Sequence, residues 1–209
     1  MAYGDLVPAD SVGAVDVRPA TATDLERLAE VLAAAFCTDP PLAWFLPDSK
    51  RRPGLLRRYF RALLPLYPPR GQIWMTADRA GAAAWAEPGS WPFTTRQQVP
   101  ALPALARVFS RHPLRAALGV RAIERGHPHE PHWYLDYIGV EPGAQGRGAG
   151  AALLAPVLER CDRERVPAYL NAGSARSRDL YARHGFEVME RFELPFDGPP
   201  LWRMWRDPA

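Results

Sequence analysis

The 209 residues predict a mixed α/β sheet with helices on both faces. Three observations carry that reading. Amphipathic helical runs occur at 21–36, 50–66 and 148–166. Short alternating or apolar runs bounded by Gly, Pro or Asp fall between them. The resulting order, β α α β β (α α) β α β α β β, contains no internal repeat, and the length suits one domain, residues 1–209, with a real core.

The elements follow in order. Residues 1–12 are expected to be a flexible N-terminus, and "AVDVRPA" (14–20) alternates as a first strand. "TATDLERLAEVLAAAF" (21–36) is a helix that Thr21 and Asp24 can cap, with Leu25, Leu28, Leu32 and Phe36 on one face. "CTDPPLAWFLPD" (37–48) reads as a Pro-rich aromatic loop, and a second helix covers about 50–66 and ends before Pro68-Pro69. "GQIWMTAD" and "AGAAAWAEP" form a strand pair turning at Arg79–Gly81. Residues 89–131 are a helical insert of two helices punctuated by prolines, placed before the fourth strand, 132–140. A helix over 148–166 contains Pro156, which should kink or destabilise it. A strand at 167–172, a helix at 174–185 closed by Gly185, and two last strands complete the chain.

Composition excludes several classes. The net charge of +3 has both signs spread along the chain, so no nucleic-acid partner is expected. The basic run "SKRRPGLLRRYFR" (49–61) fits an amphipathic helix with a solvated face. No apolar run is long enough for a membrane span and no leader pattern opens the chain, so a cytoplasmic protein is expected. Cys37 and Cys161 have no metal or redox spacing, and His127, His129 and His132 lack accompanying ligands, so no metal is expected.

The chemistry centres on "GVEPGAQGRGAG" (139–150), a strand end running through a glycine-rich turn into a helix. Such a turn offers free N–H groups and a positive helix end to an anion. A nucleoside-triphosphate loop would need Lys-Ser/Thr after the last glycine, where Ala151 stands. A dinucleotide site would need G-x-G-x-x-G early in the chain and an acid where Asn171 stands. A third reading is Gln-Gly-x-Gly-x-Gly, a pyrophosphate turn for coenzyme A, and a plain loop with no ligand is the alternative.

"YIGVEPGAQGRGAGAALL" resembles motif A of the GNAT superfamily of N-acetyltransferases, and "LYARHGFEV" (180–188) resembles its motif B. The "EPHWYL", "VPAYL" and "LWRMW" segments resemble a subgroup that includes puromycin N-acetyltransferase and its actinobacterial relatives. That subgroup usually carries Glu at the position of Asn171 and Asn at that of Ser177. The resemblance implies a single-domain, mostly antiparallel sheet and transfer of acetyl from acetyl-CoA to an amine by direct attack. It implies that backbone from Gln145 through Gly146, Arg147, Gly148, Ala149 and Gly150 to Ala151 holds the pyrophosphate. Ile138, Gly139 and Val140 would pair with the pantetheine, the Val140 N–H facing the thioester oxygen. Asn171, Ser174 and Ser177 would lie near the cofactor, and Tyr181 would protonate the leaving thiolate.

Asp136 is the candidate base. Strict alternation puts it on one face with Ile138 and Val140, and burial would raise its proton affinity. The acceptor pocket is expected from the 37–48 loop, the insert and the last strands, with Asp39, Trp44, Tyr134 and Trp202 contacting substrate. Aromatic walls suit a hydrophobic or aromatic small-molecule amine, an antibiotic or a biosynthetic intermediate. A peptide or protein acetyltransferase and a non-catalytic acyl-CoA sensor are the alternatives. A monomer or homodimer is expected.

Overall fold

The computed structural model describes residues 15–67 and 72–209; the expected flexible N-terminus lies outside the described residues. One seven-stranded sheet runs in the order β1-β2-β3-β4-β5-β7-β6. Its strands are β1 (Val17–Pro19), β2 (Ile73–Thr76), β3 (Gly81–Ala86), β4 (Trp133–Val140), β5 (Ala168–Ala172), β6 (Glu187–Glu193) and β7 (Pro200–Arg206). Only β4 and β5 pair in parallel; every other neighbouring pair is antiparallel. The expected mixed, mostly antiparallel sheet is therefore what forms.

The period-2 alternation of β3 divides the core. Ala82 and Ala84 face α1 (Leu25–Ala35), α2 (Pro40–Phe45) and α3 (Arg52–Leu63), whose Leu28, Leu32, Phe45, Leu56 and Phe60 are buried there. Ala83 and Trp85 face α7 (Ala149–Glu164), buried with Leu153, Leu154, Val157 and Cys161, and Tyr181 of α8 (Ala175–Ala182) joins them. The alanine-rich β3 lets both helical layers approach closely. The insert forms α4 (Thr95–Gln98), α5 (Leu102–Val108) and α6 (Pro113–Glu124). α4 and α5 replace the single helix expected across 96–113, because Pro100 cannot donate into a continuous ladder.

Two further departures have local causes. The segment expected as a loop contains α2, with Asp39 accepting from the Leu42 N–H at 3.1 Å and Pro40 in the first turn. α7 runs through Pro156 without a break. Pro156 and Ala152 lie on the part-exposed side of that helix, where water can bond the Ala152 carbonyl that proline leaves without its donor. Among the described residues no helix is long and apolar enough to cross a membrane.

Candidate active site

β4 outruns its parallel partner. β5 pairs with it only at Trp133–Ala168, Tyr134–Tyr169 and Leu135–Leu170. Among the described residues no strand lies beside the β5-facing edge of β4 from Asp136 to Val140. The direction of its polar groups follows from the other edge. Glu141 N–H donates to Ala80 O at 2.8 Å, so Glu141 and Gly139 bond across to β3 while Ile138 and Val140 point into the gap. The Val140 carbonyl accepts there from Gln145 Nε2 at 3.0 Å, and its N–H faces the same gap. Gly139 is thereby corrected: its backbone is committed to Ala82, and its Cα faces α1, where a Cβ would lie 2.7 Å from Ala35 Cβ.

The glycine turn lies where β4 ends. Gly146 and Gly148 hold φ of 81° and 84°, and nothing lies within 4 Å of where a Cβ would stand at either. The left-handed backbone favours glycine at both positions, and the open space leaves the front of the turn accessible. Gly148 is the N-cap of α7 and supplies no side chain to it. The first helical bond is Ala152 N–H to Gly148 O, 3.0 Å, so the N–H groups of Ala149, Gly150 and Ala151 have no partner within the helix. A diphosphate bound by coenzyme A fits this uncapped end, and a strand-like pantetheine fits the open β4 edge. Gly150 also packs α7 against α8, its Cβ position 3.4 Å from Leu180 Cδ2. Arg147 is exposed, and its charge helps hold the Asp78 carboxyl low, behind the larger effects of the Thr76 hydroxyl and the Ala80 N–H.

Tyr181 is buried in α8 and packs on Phe186, ring centroids 6.0 Å apart. Burial pushes its phenol well above the ordinary value, and the Asp39 charge adds to that, which puts Asp39 within electrostatic reach. Asp39 reaches this place because α2 lies over the end of β5: a Cβ on Gly173 would meet Pro41 Cγ at 3.0 Å and Asp39 Oδ1 at 3.1 Å. Burial raises the Asp39 carboxyl to about 6, against the lowering bond from Leu42 N–H. Ser174 and Ser177 form a reciprocal capping box on α8, each hydroxyl accepting a backbone N–H at 3.1 Å. Trp202 of β7 lies under the Arg178 guanidinium, 5.3 Å from the ring centroid.

Asp136 lies elsewhere than strict alternation puts it. The β3–β4 register jumps from Ala84–Tyr137 to Trp85–Leu135, leaving Asp136 as the extra residue of a β-bulge. The bulge breaks the period. Leu135 and Ile138 both join the α7 side, while Asp136 turns to the α3 side and accepts from the Tyr67 hydroxyl. The expectation that Asp136 shares a face with Ile138 and Val140 is therefore overturned. Burial raises its carboxyl to about 7, opposed by hydrogen bonds from Tyr67 and Tyr134. Tyr67 was not legible as a partner, since it comes from the turn after α3.

The remaining sequence candidates scatter. Tyr134 is buried on the α3 side beneath Trp91, centroids 5.1 Å apart. Asn171 accepts from the Tyr169 hydroxyl at 3.1 Å, and its buried Nδ2 has no partner. Trp44 sits in α2 against Phe45 and under Arg115. His127 and His132 pack together, their Nε2 atoms 3.2 Å apart, and burial holds His127 down at about 4. Tyr181 and Asp39 thus lie within electrostatic reach of one another, and Asp136 lies on β4 with its carboxyl against Tyr67.

Known proteins share this fold. The acetyltransferase (GNAT) family model matches residues 103–186. An uncharacterised N-acetyltransferase of Schizosaccharomyces pombe is 26% identical over 202 residues, covering 90% of this chain and 81% of that one. A solved structure of histone acetyltransferase HPA2 and related acetyltransferase from Corynebacterium glutamicum superposes with a TM-score of 0.69 at 30% identity, covering 93% of this chain and 97% of that one. Arylalkylamine N-acetyltransferase 2 from Aedes aegypti shares the fold, with a TM-score of 0.60 at 15% identity and coverage of 93% and 99%. With 30% identity to the Corynebacterium glutamicum protein over nearly the whole length of both chains, the chain belongs to the GNAT acetyltransferase family and is an acyltransferase.

Proposed function

We propose that the chain transfers an acetyl group from acetyl-CoA to the amine of a small molecule, an antibiotic or a biosynthetic intermediate. The observation that carries this reading is the open β4 edge, with an uncapped glycine turn at its end and Tyr181 beside Asp39. Acetyl-CoA supplies an activated acetyl thioester. The N–H groups along Gln145–Ala151 hold its diphosphate, and Ile138 and Val140 bond its pantetheine arm. The Val140 N–H lies ready to stabilise negative charge on the acyl oxygen. Asp39 holds the acceptor's ammonium form by charge. Asp136, its proton affinity raised into the neutral range, takes the proton that must leave before the amine attacks. Tyr181, a proton donor throughout the neutral range, protonates the departing thiolate.

Resemblance to the puromycin N-acetyltransferase subgroup and the aromatic side chains of α2 and the insert support a small, apolar amine. Protein-lysine acetylation is the second reading, prompted by the name of the Corynebacterium glutamicum relative. Thiol release from acetyl-CoA in the presence of an amine panel separates them. Acceleration by arylalkylamines and amino-nucleosides, but not by lysine peptides or histones, is the expected result. Acceleration by peptides alone would move the assignment to proteins. Tight coenzyme A binding with no active acceptor would make the chain a sensor.

A further inference from the structure

One cavity lies away from the glycine turn. It is a cleft of about 730 Å³ between α3 and the α4–α5 part of the insert, on the α1/α3 side of the sheet and across from α7. That volume is in the range of small-molecule sites. Its wall is built from short side chains, Ala62 on α3 facing Ala101 and Ala104 of the insert. Its rim carries Arg58, Arg61 and Arg107, and among the described residues no carboxylate lines it. Arg58 and Arg61 belong to one face of α3 by their three-residue spacing, and Arg107 comes from α5 on the other side. Arg61 is held by Glu26. Arg58 and Arg107 have no acidic partner among the described residues. Two uncompensated guanidinium groups above an apolar hollow are a binding arrangement for a forked oxyanion with an apolar body. The basic run that the sequence presented as a solvated helix face thus encloses a cavity on one side.

We propose that this cleft binds a small amphiphilic carboxylate, its head between Arg58 and Arg107 and its apolar body against Ala62, Ala101 and Ala104. The site is independent of acyl transfer and does not rest on the acceptor assignment. Titration calorimetry on the full chain tests it, using octanoate, its neutral counterpart octanamide, and inorganic phosphate, each with and without saturating coenzyme A. The expected result is saturable binding of octanoate, unchanged by coenzyme A and at least about tenfold weaker for octanamide and for phosphate. The double variant Arg58→Ala/Arg107→Ala should lose at least about tenfold in octanoate affinity while its unfolding temperature stays put, since both side chains are exposed. Absence of octanoate binding, equal binding of octanamide or of phosphate, competition by coenzyme A, or undiminished binding by the double variant would each overturn the proposal.

Discussion

Tyr181 and the two raised carboxylates make separable demands on kinetics. Tyr181→Phe removes the proposed proton donor and leaves the glycine turn intact. It should lower kcat about a hundredfold or more with little change in coenzyme A affinity; an unaltered kcat would take Tyr181 out of the reaction. Asp39 at about 6 and Asp136 at about 7 must both be ionised to hold the ammonium and accept its proton. Activity should therefore climb with pH between about 5 and 8, and Asp39→Asn should raise the amine KM and remove the lower part of that climb. Stability moves the opposite way. The folded Asp136 binds its proton more tightly than the unfolded chain does, so its stabilising contribution is complete below the ordinary value of 3.8 and is lost as pH rises through about 7. Denaturant titrations across pH 4–8 should show that decline, and Asp136→Asn should flatten it. Tyr181 was legible because a motif marks it. The face of Asp136 was not, because a single extra residue in β4 reverses the alternation and leaves no trace in composition.

The glycine turn leaves the start of its own helix without a side-chain cap, as the proposed diphosphate site requires. α2, α4 and α8 are capped by the side chains of Asp39, Thr94 and Ser174, whereas α7, like α1, α3, α5 and α6, has no side-chain cap and begins at a bare glycine. An alanine at Gly148 must adopt φ near +84°, costing about 1–2 kcal/mol of stability. Gly148→Asp adds a charge where an anion is to bind and should weaken coenzyme A binding by more than tenfold, on the order of 1.4 kcal/mol. Equal coenzyme A affinity in Gly148→Ala and Gly148→Asp would remove the turn from diphosphate binding. The turn was legible from spacing alone. α2 was not, although Asp39-Pro40-Pro41 is a helix-start signal: a single short turn is outweighed by the loop signal of three prolines in 37–48. That misreading concealed what places Asp39 at the end of β5.

At the scale of the whole molecule, β4 is a partition with the glycine turn and α7 on one side and α1, α2 and Asp39 on the other. Its architecture was legible because both helical layers and the strands carry strong periodicity, while the contacts that join distant segments, such as Asp136 with Tyr67, have no local signature. Gly139 is where the partition is thinnest. A Cβ there would stand 2.7 Å from Ala35 Cβ, 3.1 Å from Leu32 Cδ2 and 3.2 Å from Phe36 Cε2, and Leu32 is fixed in the buried face of α1. Gly139→Ala should therefore cost about 1–3 kcal/mol of stability through overpacking, seen as a lower unfolding temperature. The displaced α1 runs directly into the segment that sets Asp39, whereas α7 packs on the opposite face. So the amine KM should rise while coenzyme A affinity, measured on the same variant, holds. A loss of coenzyme A affinity as large as the loss for the amine would mean that the two faces of β4 move as one, and the partition would not separate acceptor from donor.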